Sequence, residues 1–255
     1  MRSCAQHKFV HKKMMIRTSL FLGTIAALAD VAGGMLLVRA RWVDRYLHYF
    51  VALGAGFLMA TAVVEMMPES LRQSPQLGPV LIMAGYCAVH LLEHTINAHF
   101  HYGEETHPEE FISRHTSSSV VAGLSVHALF DGVAIGSGFV LSNRLGWLIF
   151  LAILLHKVPE GFTMASVMLA SGRSRLSAFY SAVVLAGATL LGVAFIQMVP
   201  GWMPYGLPVS AGVALYVGAS DLVPEVNQQP GIRMALIFFA GVGGFLLLRL
   251  LLPAV

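Results

Sequence analysis

The chain alternates long apolar runs with short polar segments over nearly its whole length. Each run is long enough to cross a hydrocarbon core of about 30 Å as an α-helix. Hydrophobic residues are continuous within the runs and do not alternate with polar ones, which excludes the strands of a membrane barrel. The pattern therefore predicts an all-α integral membrane protein with eight transmembrane helices, at about 16–38, 46–67, 79–99, 117–141, 145–170, 176–199, 207–223 and 232–252.

The composition agrees with a membrane protein. Of the 255 residues, 56% are hydrophobic and 11% are charged, against roughly 25% charged residues in soluble domains. The net charge of +3 needs no nucleic-acid partner, because no phosphate-binding motif accompanies it and membrane proteins carry excess Lys and Arg in their loops. Two cysteines, Cys4 and Cys87, are too few for a disulfide framework. We therefore expect a lipid bilayer around this chain, and no nucleic acid.

Two polar segments flank or interrupt the predicted spans. A basic N-terminal tail occupies 1–15, and residues 16–255 form a single eight-span domain with one sizeable loop at about 100–116. This density of histidine and glutamate can hold divalent metal weakly, although a plain polar connector explains it equally well. The side chains concerned are His99, His101, His107, His115, Glu104, Glu105, Glu109 and Glu110.

The arginines indicate an orientation. Most of them fall in loops on one side of the membrane, which is cytoplasmic by the positive-inside rule. Both termini then lie outside the cytoplasm, although the basic tail opposes this assignment unless the chain starts at Met14 or Met15. The compact loops favour a bacterial inner membrane. The arginines concerned are Arg39, Arg41, Arg45, Arg114, Arg173, Arg175 and Arg233.

A histidine followed four residues later by a carboxylate and a glycine occurs in both the fourth and the fifth span. The fourth span has His127 and Asp131, and the fifth has His156 and Glu160. Residues i and i+4 share one helix face, so each pair can grip one ion and two helices supply four ligands. Such a tetrahedral site suits zinc or a similar divalent metal. A buried, self-satisfied polar pair is the alternative, and two copies in consecutive spans count against it.

A second pattern recurs in the second and seventh spans. A glycine is followed nine residues later by an acid, then by proline and glutamate, in Gly56…Glu65–Pro68–Glu69 and Gly212…Asp221–Pro224–Glu225. These spans cross the membrane in opposite directions. We therefore predict an inverted repeat that relates spans 1–3 to spans 6–8, with spans 4 and 5 paired at the metal site. Pro68 and Pro224, and Pro159 in the fifth span, interrupt the helical hydrogen-bond ladder.

Further polar residues have less certain roles in the sequence. The span-end carboxylates Glu65, Glu69, Asp221 and Glu225 can form the entrance and exit of an ion pathway, or be solvated helix ends. His90, Glu93 and His94 share one face of the third span, either as an auxiliary metal site or as a hydrogen-bonded cluster. No role emerges for Asp30 in the first span.

The motifs together resemble the ZIP family (zinc/iron-regulated transporter-like). The likeness is carried by eight spans, His-x-x-x-Asp-Gly in the fourth, His-x-x-Pro-Glu-Gly in the fifth, the Pro-Glu endings of the second and seventh, and the run at 214–225. The resemblance implies transport of divalent metal into the cytoplasm, with His127, Asp131, His156 and Glu160 as ligands. Two residues depart from the family pattern, Ala128 and Lys157, where relatives with two adjacent metals carry polar side chains that help to bind the second ion.

The leading hypothesis is therefore a divalent-cation transporter that works by alternating access, with the metal as substrate and not as cofactor. Zinc comes first, and a mixed histidine and carboxylate site also accepts iron, manganese or cadmium. Lys157, beside Glu160 on the helix, is expected to act as a tethered cation in place of a second metal. A homodimer is compatible with the sequence. The alternatives are an intramembrane metal-dependent hydrolase, which would need an activated water, and a metal sensor without transport.

Overall fold

A computed structural model describes residues 2–39, 43–96, 114–228 and 231–252. Within these ranges the chain is helical apart from short turns. The α-helices are α1 (Arg2–Arg39), α2 (Val43–Thr61), α3 (Met67–Gln73), α4 (Gly78–Ile96), α5 (Arg114–Leu141), α6 (Asn143–Ala170), α7 (Arg175–Met198), α8 (Met203–Tyr216), α9 (Val223–Gln228) and α10 (Ile232–Leu251).

The helices reproduce the predicted spans and confirm an all-α membrane architecture. Seven helical segments of the described chain are long and apolar enough to cross a membrane; α4, the predicted third span, is not among them. That helix carries His90, Glu93 and His94 near its C-terminal end, which lowers its hydropathy. The α1 helix begins at Arg2 and so runs through the basic segment predicted as a tail; the division of the chain into a tail and one domain stays a prediction.

The second and seventh spans each contain a π-helical turn. The turns cover Ala62–Met66, between α2 and α3, and Val217–Leu222, between α8 and α9. Pro68 and Pro224 follow them and have no N–H to donate to the carbonyl four residues earlier, so the regular ladder is disturbed here. Glu65 and Asp221 lie within these turns. In contrast, α6 continues through Pro159 without interruption.

The helix contacts repeat in equivalent pairs, as expected if the two halves of the chain are related by a two-fold axis. The α1 helix packs on α6 as α7 packs on α5, and α2 packs on α10 as α8 packs on α4. The remaining contacts repeat in the same way, since α2 meets α6 as α8 meets α5. Spans 1, 2, 3 and 4 therefore correspond to spans 6, 7, 8 and 5, which is the predicted inverted repeat.

Equivalent glycines allow the paired helices to approach closely. A Cβ at Gly56 would meet the carbonyl oxygen of Phe238 on α10, and one at Gly212 would meet that of Ile82 on α4. Gly161 of α6 likewise faces the backbone of Asp30 on α1. Small residues at such crossings are the usual means of packing membrane helices.

We predict that Gly212→Ala lowers the stability of the fold. The new methyl group would meet the Ile82 carbonyl oxygen and lie 2.8 Å from the Tyr86 amide nitrogen, so α8 and α4 have to separate. Overpacking of this kind costs about 1–3 kcal/mol. Thermal unfolding of the detergent-purified protein should show a lower midpoint.

Gly243→Ala is the matched control, because nothing lies within 4 Å of a Cβ at this helical position. Its midpoint should stay unchanged or rise, since Ala favours helix over Gly by about 1 kcal/mol. Equal midpoints for the two variants would contradict the close packing of α8 on α4.

Candidate metal centre

A tight hairpin brings the two histidine motifs together. Ser142 alone separates α5 from α6, and its side-chain oxygen caps α6 by accepting a hydrogen bond from the Leu145 amide at 3.1 Å. His127 and His156 each lie about 15 residues from Ser142, which is roughly 22 Å of helix. The hairpin therefore places both histidines at the same depth, with their ring centroids 5.7 Å apart.

The four predicted ligand side chains converge in one buried cluster. One potential ligand atom from each of His127, Asp131, His156 and Glu160 lies within 4.8 Å of all the others. None of these residues is more than 4% exposed. Ligand atoms of a tetrahedral zinc ion would lie roughly 3.3 Å apart, so only small side-chain movements separate this arrangement from a closed site. In the described part of the chain no second group of this kind occurs.

Hydrogen bonding leaves the histidine nitrogens facing a carboxylate. His156 Nδ1 lies 3.0 Å from the Ala152 carbonyl oxygen, which can only accept, so Nδ1 is the donor of this hydrogen bond. The other ring nitrogen, Nε2, lies 3.3 Å from Asp131 Oδ2, and His127 Nε2 lies 3.2 Å from the same oxygen. A backbone carbonyl that fixes the tautomer is the usual outer contact of a metal-binding histidine. The donor set therefore suits a cation.

Lys157 lies among the carboxylates of this cluster. Its Nζ is 2.6 Å from Glu160 Oε2, 2.9 Å from Asp131 Oδ2 and 3.5 Å from Asp30 Oδ2. The side chain is fully buried, as is Asp30. Lys157 therefore lies inside the cluster and does not extend towards a membrane interface. Ala128, the counterpart of Lys157 on α5, is also fully buried.

A cavity extends from the cluster along α4, α5 and the π-helical turn after α8. Its lining includes His127, His156 and Glu160 and continues past Glu93 and Asp221. Val120 and Gly123, near the start of α5, line the same cavity. The cavity thus lies beside the C-terminal part of α4 and the N-terminal part of α5, the two helices that residues 97–113 connect.

Comparison with known proteins assigns the family. A family model described as ZIP Zinc transporter matches residues 112–249, more than half of the chain. The chain belongs to the ZIP family. All four clustered residues fall inside the matched region, whereas Asp30 falls outside it.

Individual ZIP relatives match over different lengths. Identity is 33% over 162 residues to "Zinc transporter ZIP9" of Micropogonias undulatus, covering 58% of this chain and 51% of that protein. It is 23% over 261 residues to "Zinc transporter ZIP9-B" of Xenopus laevis, covering 82% and 86%. For "Zinc transporter SLC39A7" of Homo sapiens it is 27% over 140 residues, covering 49% and 29%. The chain thus matches about half of the first relative. These relatives are eukaryotic and do not support the expected bacterial membrane.

The span-end carboxylates of this ZIP chain lie at opposite ends of the fold. At one end Glu65 Oε1 accepts hydrogen bonds from Arg144 at 3.1 Å and from Arg249 at 2.5 Å. Glu69 pairs with Arg72 at 3.4 Å, and these residues surround a polar cavity that none of the four clustered residues lines. At the other end Asp221 borders the cavity that reaches the cluster.

The three polar residues of the third span differ in their surroundings. Glu93 borders the cavity and accepts a hydrogen bond of 2.7 Å from the Tyr216 hydroxyl. His90 and His94 are exposed and pack on each other with ring centroids 4.1 Å apart. The auxiliary metal site at His90, Glu93 and His94 stays a prediction. Glu225, which corresponds to Glu69 in the repeat, lies 3.4 Å from His48. His99, His101 and His107 lie outside the described residues.

Three charged residues, one beside the metal cluster and two at the Glu65 end, escaped the sequence patterns. Asp30, Arg144 and Arg249 meet their partners through contacts between helices far apart in the chain. A signal for Asp30 did exist, because a carboxylate within an apolar span needs a counter-charge and Lys157 is a buried lysine in another span. The pairing itself depends on the packing of α1 on α6.

We predict that the cavity admits water-soluble reagents from one side only. In a chain with both cysteines replaced by serine, Leu124→Cys, which lines the cavity, should react with a charged, membrane-impermeant thiol reagent. The reaction should occur in only one of the two vesicle orientations.

Leu148→Cys is the matched control, since Leu148 is fully buried in α6 towards the Ser142 turn. It should stay unmodified in both orientations. Equal labelling of Leu124→Cys from both sides would contradict a cavity closed at one end.

Proposed function

We propose that this ZIP chain transports a divalent metal, zinc foremost, through a site made of His127, Asp131, His156 and Glu160. The observation that carries the proposal is the convergence of two histidines and two carboxylates in a buried cluster. His127 has both ring nitrogens, and Glu160 has Oε1, without a hydrogen-bond partner among the described residues. Buried polar atoms in this condition are costly unless something binds them. A metal ion with nitrogen and oxygen ligands meets that need.

The path of the ion follows from the two ends of the fold. The cavity past Asp221 and Glu93 gives the site access to the end where residues 97–113 join the helices. The opposite end is held by the contacts of Glu65 with Arg144 and Arg249. With the arginine-bearing loops in the cytoplasm and the termini outside, this conformation faces the cytoplasm. Alternating access then requires a second conformation, in which the Glu65 contacts open.

The direction of transport is into the cytoplasm in this proposal. On the cavity side, Asp221 and Glu225 would attract cations to the pathway. On the opposite side, Glu65 and Glu69 are paired with arginines and would do so only after these contacts open. We propose that the histidine-rich segment binds metal that leaves the site, because its histidine and glutamate side chains are suitable ligand types. Neutral histidines and ionised carboxylates are required for binding, so zinc affinity should fall as the pH falls.

The hydrolase alternative has less support. Protein side chains occupy all four positions around the proposed ion, which leaves none for an activated water. The Lys157 ammonium, already 2.6 Å from Glu160, would also make Glu160 a poor base. The named relatives are all zinc transporters. These observations favour transport over catalysis.

Lys157 is proposed to take the place of a second metal ion. Two carboxylates of the site, Asp131 and Glu160, already contact its ammonium group. A tethered cation stabilises these charges in an apolar interior, as a second divalent ion would. Ala128 provides no ligand on the opposite helix. The proposed site therefore holds one metal per protomer.

We predict that His127→Ala and Glu160→Ala each abolish saturable zinc uptake into proteoliposomes loaded with a zinc-sensitive dye. Each substitution removes one of four ligands from a shared site. The matched control is Ser166→Ala on α6, whose hydroxyl donates only to the Phe162 carbonyl, and it should transport normally. Normal uptake by both ligand variants would show that the transport site lies elsewhere. Zinc binding by the wild type without any flux would favour a sensor.

A second prediction concerns the number of bound ions. Purified wild-type protein should hold one zinc tightly per protomer, as measured by elemental analysis after gel filtration. Ala128→Asn combined with Lys157→Asp should hold two, because the variant loses the ammonium group and gains two oxygen ligands. Two tightly held ions in the unmutated site would contradict the role of Lys157.

A further inference from the structure

Asp30 is a buried carboxylate that the proposed transport mechanism does not use. It lies within α1, has no exposed surface, and neither of its oxygens accepts a hydrogen bond from a described residue. Its partner is the Lys157 ammonium group, 3.5 Å away. A buried carboxylate carries a large desolvation cost. Such a residue within a membrane span indicates a functional role.

Helix packing places Asp30 beside the metal cluster. Gly161 follows Glu160 on α6, and a Cβ there would meet the Asp30 carbonyl oxygen. Gly33, one turn further along α1, faces the Val158 carbonyl in the same way. The close approach of the two backbones lets the short Asp30 side chain reach Lys157.

The other half of the repeat has the same packing without the charges. Gly132, which follows Asp131 on α5, faces the carbonyl oxygen of Thr189 on α7. Thr189 therefore corresponds to Asp30, and Ala128 corresponds to Lys157. Thr189 is buried, and its hydroxyl donates to the Leu185 carbonyl at 3.3 Å. One half of the site thus carries an added acid and an added base, and the other half carries neither.

The charges suggest what the added pair does. Three carboxylates surround one ammonium group, which leaves two negative charges for a divalent ion to neutralise. Without Asp30, the ammonium charge would be balanced only by Asp131 and Glu160, the two carboxylates proposed to hold the metal. Lys157 would then compete with the metal for its ligands.

We propose that Asp30 is a positioning residue that supplies the counter-charge of Lys157, so that Asp131 and Glu160 are available to a divalent ion. When the ion binds, it repels the ammonium group towards Asp30, whose oxygens have no other hydrogen-bond donor among the described residues. This inference rests on the proposed metal site. It adds a residue on α1 that sets the affinity of that site.

The test measures zinc affinity in a double-mutant cycle. Full-length wild type, Asp30→Asn, Lys157→Met and the double variant are purified, and zinc dissociation constants are determined by competition with a fluorescent chelator. Asp30→Asn should weaken zinc binding roughly tenfold or more, because the Lys157 ammonium group is then balanced only by Asp131 and Glu160 and competes with the metal for these two carboxylates. Lys157→Met should bind at least as tightly as wild type. The double variant should bind zinc within about threefold of Lys157→Met, since Asp30 has no competitor to neutralise once the ammonium group is absent.

The cycle separates charge balance from a structural role. A structural role for Asp30 predicts the same loss whether residue 157 is Lys or Met, and this result would overturn the proposal. Wild-type affinity in Asp30→Asn would overturn it too, because asparagine has the shape of a neutral acid. If Asp30→Asn does not fold, Lys157→Met and the double variant decide: equal constants support the proposal, and a tenfold difference refutes it.

Two controls complete the experiment. Ser19→Ala removes another buried polar group of α1, whose hydroxyl donates to the Ile16 carbonyl at 2.9 Å, and it should bind zinc as wild type does. A wild-type protein that binds no zinc would refute the proposed metal site itself. That outcome differs from any failure of the Asp30 variants alone.

Discussion

The burial of ionic groups in an apolar interior is the constraint on which this site depends. Asp30, Asp131 and Glu160 lie around the ammonium group of Lys157, and none of the four residues is more than 4% exposed. Each charge alone would be too costly to bury, and mutual contact lowers that cost. The hairpin at Ser142 brings α5 beside α6, and glycines let α1 approach α6 closely, so these side chains come into contact. The charge balance of the site therefore depends on how the helices pack.

The repeat is symmetric in backbone and asymmetric in charge. The packing of α1 on α6 is reproduced by α7 on α5, and Gly161 and Gly132 occupy equivalent positions. The side chains beside these glycines differ, with Asp30 on one side and Thr189 on the other. A metal ion between α5 and α6 would therefore meet two similar pairs of ligands in unlike electrostatic surroundings. The fold supplies the ligands twice, and the added charges distinguish the two halves.

Much of the architecture was predictable because its signals are local. Hydropathy places helices, and a four-residue spacing places His156 and Glu160 on one face. Consecutive spans joined by a short turn must be neighbours, so the approach of His127 to His156 followed as well. The contacts of Asp30 with Lys157, and of Glu65 with Arg144 and Arg249, depend on which distant helices pack together. Hydropathy carries no such information, which is why these pairs emerged only in the structure.

The pairing of helices has a consequence for biosynthesis. The main partners of α1, α2, α4 and α5 are α6, α10, α8 and α7, so most of the packing joins the first four spans to the last four. A nascent chain that has inserted its first half therefore has few of the surfaces against which those helices finally pack. The packing of α2 on α10 can form only after α10 has entered the bilayer, and contacts so distant in sequence form slowly. During that interval the charges of Asp30 and Asp131 lie in the first half without Lys157, and the nascent half must keep them near water or in their neutral form.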